Sequence, residues 1–263
     1  MRIRWLAGLV PLLLTTPLLG QQTADQARLM LTVGGGFVGG SSLWEITNQP
    51  VYDGTSAVDS FDLIRRIRPT VGFIFSGSYF PGEHLGFEGE ALLIGLGTED
   101  SCRLAFASGS ARNAGACASI TGRTKSATAV ALSGGLAYRV LSHKPFSPFG
   151  RVNLGIDISQ QSTIRTIATV VDSGVSADLI VYADAQNTHV TGFVSLTAGF
   201  TVAVARGYQL RLEARDNYVG VPIVTGATSH DGLIPPHAVR GKHVFSLMLG
   251  FDVVLERRRG RRY

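Results

Sequence analysis

The residue types that could do chemistry are few in this chain. Two cysteines and six histidines are present, and no metal-ligand spacing joins them. A hydrolase would need a nucleophilic serine beside a histidine base that a carboxylate orients, and the sequence has no His-x-Ser-Asn pattern on a strand. We therefore predict no enzymatic activity, no metal and no cofactor. The histidines are His84, His143, His189, His230, His237 and His243.

The N-terminus has the form of a secretory signal peptide. A short basic segment, 1–5, precedes an apolar run, Leu6 to Leu19, which is too short for a spanning helix. A buried core helix is the alternative, and Pro11 and Pro17 disfavour it because proline interrupts helices. We predict that residues 1–20 are removed and that the mature chain is exported.

Cys102 and Cys117 lie fifteen positions apart in a long polar stretch. In an exported chain this pair predicts one disulfide that closes a loop. A metal site on the same two cysteines is the alternative, which the lack of a neighbouring histidine cluster disfavours.

The charge balance gives little support to a nucleic-acid partner. Without Arg2 and Arg4 the chain has 22 Lys and Arg against 19 Asp and Glu, a net charge of +3, and much of this lies in the basic tail 257–263. We interpret the tail as a solvated periplasmic segment. Contact with anionic lipid head groups or with acidic partners is the alternative.

Alternation of apolar and polar residues recurs along the chain and predicts eight strands. The clearest is the last one, in which every second residue from Phe245 to Leu255 is large and apolar. The predicted strands are Leu29 to Phe37, Arg66 to Tyr79, Leu85 to Gly97, Ser126 to Leu141, Phe146 to Gln160, His189 to Ala205, Tyr208 to Tyr218 and His243 to Glu256.

The predicted connections alternate strictly between long and short. The long ones have about 22 to 28 residues and the short ones about 2 to 5, so that all long connections fall on one side. The long stretches are 41–62, 98–125, 161–188 and 219–242. We predict that the first is irregular and polar and that the second is polar. In the third, the part from Thr169 to Val181 is apolar enough to extend the hairpin above the barrel. An even strand count with segregated loop lengths is typical of outer-membrane barrels.

The polar faces of the strands carry charges of both signs. In an outer-membrane barrel, we expect the apolar side chains to face lipid and the charged side chains to fill the lumen. With eight strands, the lumen is only wide enough for side chains. Three alternatives are a solvated strand face, a soluble barrel with the apolar face inside, and a charge-lined narrow water path. The predicted lumen ion-pair network is Arg66, Arg68, Glu88, Glu90, Arg139, Arg151, Asp157, Arg211, Glu213, Arg215 and Asp252. Aromatic residues at the strand ends of the apolar face predict an interfacial girdle of Tyr79, Phe87, Tyr138, Tyr208 and Phe245.

Three segments resemble the OmpA/OmpX-like family of small bacterial outer-membrane β-barrels. Ser147 to Gly155 resembles a "Pro-aromatic…Gly" strand opening, Tyr208 to Asp216 resembles the penultimate strand, and the last strand resembles the terminal segment read by the barrel assembly machinery. The resemblance covers about Ala27 to Leu255. In this family the chain often ends on an aromatic residue within the last strand, whereas here a basic tail follows. The assembly signal therefore falls on Phe251, Val253 and Leu255.

The resemblance and the strand pattern together imply an all-β fold, an eight-stranded antiparallel up-and-down transmembrane β-barrel over residues 21–256. We expect a monomer in the bacterial outer membrane, with outer-membrane lipid, lipopolysaccharide and the barrel assembly machinery as partners. The first functional hypothesis is a structural or surface-interaction role, with an extracellular ligand bound through four long loops. A narrow pore is the second hypothesis, and a lipid A-modifying enzyme is the third.

Overall fold

The computed structural model describes residues 26–52, 54, 58–95, 97–125, 128–159, 162–172, 174–185 and 189–258. The predicted signal peptide and positions 259–263 of the predicted tail lie outside the described residues. The elements in chain order are β1 (Gln26–Val38), β2 (Ser41–Tyr52), β3 (Val58–Ile67), β4 (Thr70–Tyr79), β5 (Leu85–Gly95), β6 (Thr98–Phe106), α1 (Ala111–Ile120), β7 (Thr124–Lys125), β8 (Thr128–Arg139), β9 (Phe146–Ser159), β10 (Thr166–Asp172), β11 (Val175–Tyr182), β12 (His189–Ala205), β13 (Tyr208–Val224) and β14 (His237–Arg258).

Eight of these strands form a closed barrel in the order β1-β14-β13-β12-β9-β8-β5-β4. All neighbouring pairs are antiparallel, and β4 returns to β1 to close the sheet. Closure gives each barrel strand a partner on both sides, which leaves no open sheet edge along the wall. The prediction of an eight-stranded antiparallel up-and-down barrel is confirmed.

The two faces of the wall differ sharply in exposure. On β4 the outward residues Phe73 and Phe75 are more than half exposed, whereas the inward residues Ile74 and Ser76 are buried. The same alternation holds on β14, where Leu247 is exposed and its neighbours are not. Side chains alternate across a strand, so the barrel presents a continuous apolar surface outward. The residues of the predicted girdle all lie on this outer surface, exposed.

The long connections are folded, which corrects the prediction that 41–62 is irregular. The part from Thr169 to Val181, predicted to extend a hairpin, falls within the two strands β10 and β11, which form a sheet of their own. We call the resulting structure the cap: the four-stranded sheet β2-β3-β6-β7, the hairpin β10-β11 and the helix α1. In β2 the alternation is broken by two register shifts and by Asn48, which has a φ of 57°. A bulge changes which face a side chain reaches, so the period-2 signal is lost. Within the described residues, no helix is long and apolar enough to cross a membrane.

The fourth long connection is also mostly strand. β13 runs on to Val224 and β14 starts at His237, which leaves 225–236 between them, whereas 219–242 was predicted to connect the two strands. Pro222 lies within β13 but beyond Val219, the last residue that pairs with β12. β13 is an edge strand there, and such a strand accommodates proline. At its other end β14 continues to Arg258, two residues into the predicted tail.

Close strand packing depends on Gly135 in β8. A Cβ built there would lie 2.0 Å from the Val152 carbonyl oxygen of β9, whereas one at Gly134 would be 3.7 Å from its nearest neighbour, the Glu88 carbonyl oxygen. We predict that Gly135→Ala lowers the free energy of unfolding by about 1–3 kcal/mol, the usual cost of overpacking. Urea titration in lipid vesicles measures this. Gly134→Ala is the matched control, and equal effects of the two substitutions would contradict the prediction.

Candidate functional site

The lower lumen, on the side of the short turns, holds a network of buried ion pairs centred on Arg151. Its guanidinium donates hydrogen bonds to the carboxylates of Glu88 and Glu213 and lies 3.5 Å from Glu90. All four side chains are almost completely buried. A buried charge requires such partners because removing it from water is costly.

Two further arginines extend the network around the lumen. Arg215 donates to Glu90 and places its Nε 3.3 Å from Oε1 of Glu213. Arg211 places its Nε 3.0 Å from Oδ1 of Asp252. Asp252 also accepts a 2.8 Å hydrogen bond from the Thr32 hydroxyl of β1. The ion pairs thus join strands that are distant in sequence.

The structure places the eleven residues of the predicted network in three groups. Seven come together as described: Glu88, Glu90, Arg151, Arg211, Glu213, Arg215 and Asp252. Arg139 and Asp157 lie in the barrel but apart from them. Arg139 lies 3.8 Å over the Phe80 ring and donates a 2.9 Å hydrogen bond to the Glu83 carbonyl at the short-turn end. Asp157 is buried near the cap, and among the described residues its Oδ1 has no hydrogen-bond partner.

The assignment of Arg66 and Arg68 to the lumen is wrong. Both are exposed, because the predicted strand Arg66 to Tyr79 is interrupted at Arg68 and Pro69. Arg66 belongs to β3 of the cap. At the end of β3 that is nearest the barrel, the even-numbered side chains point away from the core of the cap. The barrel strand β4 begins only at Thr70.

Apolar side chains fill the upper lumen. Ile74, Leu92, Ile94, Phe193 and Met248 are buried there and belong to the same cluster as the core of the cap. The lumen is thus occupied by paired charges at one level and by apolar side chains at the next. Within the described part of the chain, no group of three or more His, Cys, Asp or Glu could hold a metal ion.

A closed eight-stranded antiparallel barrel with an apolar outside is the architecture of small outer-membrane proteins. No protein-family model and no curated protein matches the chain. Solved structures to which it is similar include Neisserial surface protein A (12% identity, 86% of this chain and 97% of that chain, TM-score 0.43) and the outer membrane protein OprG from Pseudomonas aeruginosa (12%, 88% and 97%, 0.42). Ail of Yersinia pestis is another (11%, 87% and 98%, 0.37). At these identities and TM-scores, the likeness to these structures is one of fold alone.

The cap is organised around Arg65, which sequence reasoning missed. This fully buried guanidinium donates to both oxygens of Asp100, at 2.5 and 2.7 Å, and to the backbone oxygens of Thr163 and Arg165, at 2.7 and 3.1 Å. It also lies 5.1 Å over the Trp44 ring. Arg65 therefore links three of the long connections. In the sequence, Asp100 is 35 positions and Thr163 is 98 positions away from Arg65.

A disulfide attaches the helix of the cap to its sheet. Cys102 of β6 and Cys117 of α1 are bonded, which confirms the predicted pair. Ser110 caps the helix by accepting a hydrogen bond from the Asn113 backbone N–H. The Asn113 amide in turn donates a 2.7 Å hydrogen bond to Asp59 of β3.

The fourth connection joins the cap through Gln49 and Thr228. The Gln49 amide donates to the Thr228 hydroxyl, and its oxygen accepts from the Thr228 backbone N–H, both at 2.8 Å. The Tyr52 N–H donates to Asp231 at 3.3 Å. All four outer connections are thus bonded to one another.

The lowered pKa values of two carboxylates indicate how the cap responds to pH. A hydrogen bond from Arg103, with one from the Asn48 N–H, lowers the pKa of Asp62. Burial acts to raise the pKa of Asp59, but hydrogen bonds from Ser108 and Asn113 outweigh it and the pKa is lowered. A depressed pKa in the folded state stabilises the fold above the ordinary carboxyl value, and this stability is lost as the pH falls through the folded-state pKa.

We therefore expect the cap to lose protease protection as the pH falls below about 4 and to keep it between about 5 and 8. Limited digestion with pepsin below pH 4, and with an acid-tolerant and a neutral protease above it, measures this. Asp62→Asn is the matched variant, because its cap should show a smaller pH effect. A loss of protection between pH 5 and 8 would contradict the assignment.

In the described structure, four histidines lie within 4.0 Å of a carboxylate, which the sequence did not indicate, and two of them are hydrogen-bonded to it. His243 places Nδ1 2.9 Å from Asp216 on the outer surface, and His189 places Nε2 3.2 Å from Asp184 near the cap. Cross-strand pairing of β13 with β14 brings His243 and Asp216 together across 27 positions. The other ring contacts of His243 are Tyr218 and Phe245, neither of which is the serine that a His-based hydrolase needs.

The predicted assembly signal lies on the outer side of β14. Phe251 and Leu255 are exposed, and Phe251 stacks on Tyr208 of β13 with ring centroids 5.5 Å apart. Val253 is half-buried and pairs with Tyr208 in the sheet. Their reading by an assembly machinery stays a prediction.

Proposed function

We propose that this chain is an outer-membrane barrel that presents a folded, disulfide-closed cap at the cell surface for interaction with another molecule. The observation that carries this proposal is the cap itself, whose core is continuous with the apolar upper lumen. A cap built on a closed barrel is held in one conformation, so its surface loses little entropy on binding. The exposed apolar outside of the barrel supports insertion in a bilayer, since water-soluble proteins rarely expose so large a patch.

Site-directed labelling tests the topology. Ser176 lies exposed in the β10-β11 hairpin and Arg206 in a short turn at the opposite end. Because both native cysteines are disulfide-bonded, single Ser176→Cys and Arg206→Cys variants provide unique thiols. We expect an impermeant maleimide to label Ser176→Cys in intact cells and Arg206→Cys only after lysis. The reverse pattern, or recovery of the protein in the aqueous fraction, would overturn the proposal.

A narrow pore is the second candidate. The observation in its favour is a cleft at the short-turn end with both polar and apolar lining, which includes Ser78, Gln209 and Arg151. The apolar upper lumen opposes it. Planar-bilayer recordings decide: silence supports the display function, and ohmic conductance that changes in Glu213→Gln supports the pore.

We further propose that the protein is not an enzyme and that it acts as a monomer, in contact with lipopolysaccharide and assembled by the barrel assembly machinery. Among the described partners of the His243 ring, which are Asp216, Tyr218 and Phe245, there is no serine nucleophile, and this supports the first point. Mass spectrometry of lipid A from cells that overexpress the protein is expected to show no new species. A new deacylated or acylated species would revive the enzyme hypothesis.

A further inference from the structure

Two arginines on the outer rim of the barrel differ from the other arginines around them. Arg66 and Arg68 are exposed, and within the described chain the side chain of neither makes a hydrogen bond or an ion pair, although the Arg68 backbone N–H donates to the Gly97 carbonyl oxygen at 2.7 Å. By contrast, Arg65, Arg103 and Arg123 of the cap all donate to carboxylates or carbonyl oxygens. Nothing in the described fold uses the charge of Arg66 and Arg68.

The strand register fixes the height of these arginines. Val38 of β1 pairs with Thr70 on one side and with Ser246 on the other, so the two lie at one level of the wall. Towards the cap, Arg68 comes two residues beyond Thr70, and His243 comes three residues beyond Ser246. Because neighbouring strands are about 4.8 Å apart, these two backbones run about 10 Å apart.

Directly below this level the wall is apolar. Phe37, Val71, Phe73 and Phe245 point outward on β1, β4 and β14 and are each 55 to 64% exposed. Arg68 is three residues from Val71, the last outward apolar residue of β4 on the cap side. The arginines therefore lie where an acyl-chain region ends and a head-group layer begins.

The acidic groups nearby leave the rim positive. Glu99 pairs with Arg66 in the sheet register but forms no ion pair with it in the described structure, and Asp216 is engaged with His243 at 2.9 Å. The patch of Arg66, Arg68 and Glu99 has two positive charges and one negative charge, a net charge of +1, and the two strands β1 and β14 separate Asp216 from it.

We propose that this edge, the face formed by Arg66 and Arg68 above Phe37, Val71, Phe73 and Phe245, binds the phosphate groups of lipid A in the outer leaflet. The inference rests on the proposed insertion of the barrel. A guanidinium offers a fork of donors that matches a phosphate, and the aromatic and aliphatic side chains below match its acyl chains. The arginines hold the barrel at one depth in the leaflet.

The test uses the full chain in detergent micelles and native mass spectrometry with added hexa-acyl, bis-phosphorylated lipid A. Arg66→Gln with Arg68→Gln should weaken binding by about 30-fold, from roughly 1 kcal/mol for each cation near an anionic surface. Arg206→Gln, which removes an exposed arginine at the opposite end, should leave binding unchanged. Removing both phosphates from lipid A should weaken its binding to the wild type as much as the double substitution weakens the binding of bis-phosphorylated lipid A. Inorganic phosphate at millimolar concentration should not displace lipid A from the wild type.

The outcomes separate the inference from the function on which it rests. If the double variant keeps its heat-dependent gel shift and loses lipid A, the inference is supported. If the wild type inserts but binds dephosphorylated lipid A or phosphatidylglycerol equally well, the inference alone is overturned. Equal losses in Arg206→Gln and in the double variant would also overturn it, because they would indicate a general charge effect. A wild-type protein that fails to insert would defeat the proposed function instead.

Discussion

Replacing Arg151 by methionine should lower the free energy of unfolding by about 3–5 kcal/mol, the range for removing one partner from a buried ion-pair cluster. Arg151 faces Glu88, Glu90 and Glu213, and all of these side chains are buried in the lumen. Without the guanidinium, three carboxylates remain close together away from water. Methionine keeps the aliphatic volume, so the loss reports on charge rather than on a cavity. Urea titration in lipid vesicles, followed by the gel shift of unheated samples, measures the effect.

The control for Arg151→Met restores the charge balance. The triple variant Arg151→Met, Glu88→Gln, Glu213→Gln removes the arginine and two of its acidic partners. It should recover much of the lost stability because the four charges that remain balance, as Glu90 with Arg215 and Asp252 with Arg211. A triple variant less stable than Arg151→Met would contradict this account.

Asp157→Asn should have little effect or stabilise the protein, since the Asp157 Oδ1 has no hydrogen-bond partner in the described structure.

Replacing Arg65 by methionine should open the cap while the barrel stays folded. The substitution leaves Asp100 buried without its cation and removes the donor to the Thr163 and Arg165 carbonyl oxygens. The local cost is again about 3–5 kcal/mol, which is comparable to the whole stability of a small folded unit. We expect rapid cleavage of the outer connections by protease added to intact cells, with an unchanged gel shift of the barrel.

The neighbouring residue supplies a matched control for Arg65→Met. Arg66→Met removes the same charge from the same strand, but Arg66 is exposed and makes no ion pair in the described structure. It should leave the cap resistant to protease. If both variants, or neither, lose protection, the organising role of Arg65 would be refuted.

The sequence alone determined the barrel, because strand alternation is a local signal. In β14 every second residue from Phe245 to Leu255 is apolar, and this fixes one face without knowledge of the partner strand. The strict order of long and short connections then indicated an outer-membrane barrel whose long connections all lie on one side. Cys102 and Cys117 needed only the inference of export for their pairing to be predicted.

The tertiary structure alone decided which charges meet and what the long connections become. Glu90 and Arg215 are 125 positions apart, and only closure of the barrel brings them together. Arg65 could have been noticed, since it follows Phe61 and Leu63 on the buried face of β3, but its partners come from two other connections. Bulges in β2 hid the cap sheet because each one shifts the alternation by a residue. A local period predicts faces, whereas contacts between connections distant in sequence depend on how the whole chain packs.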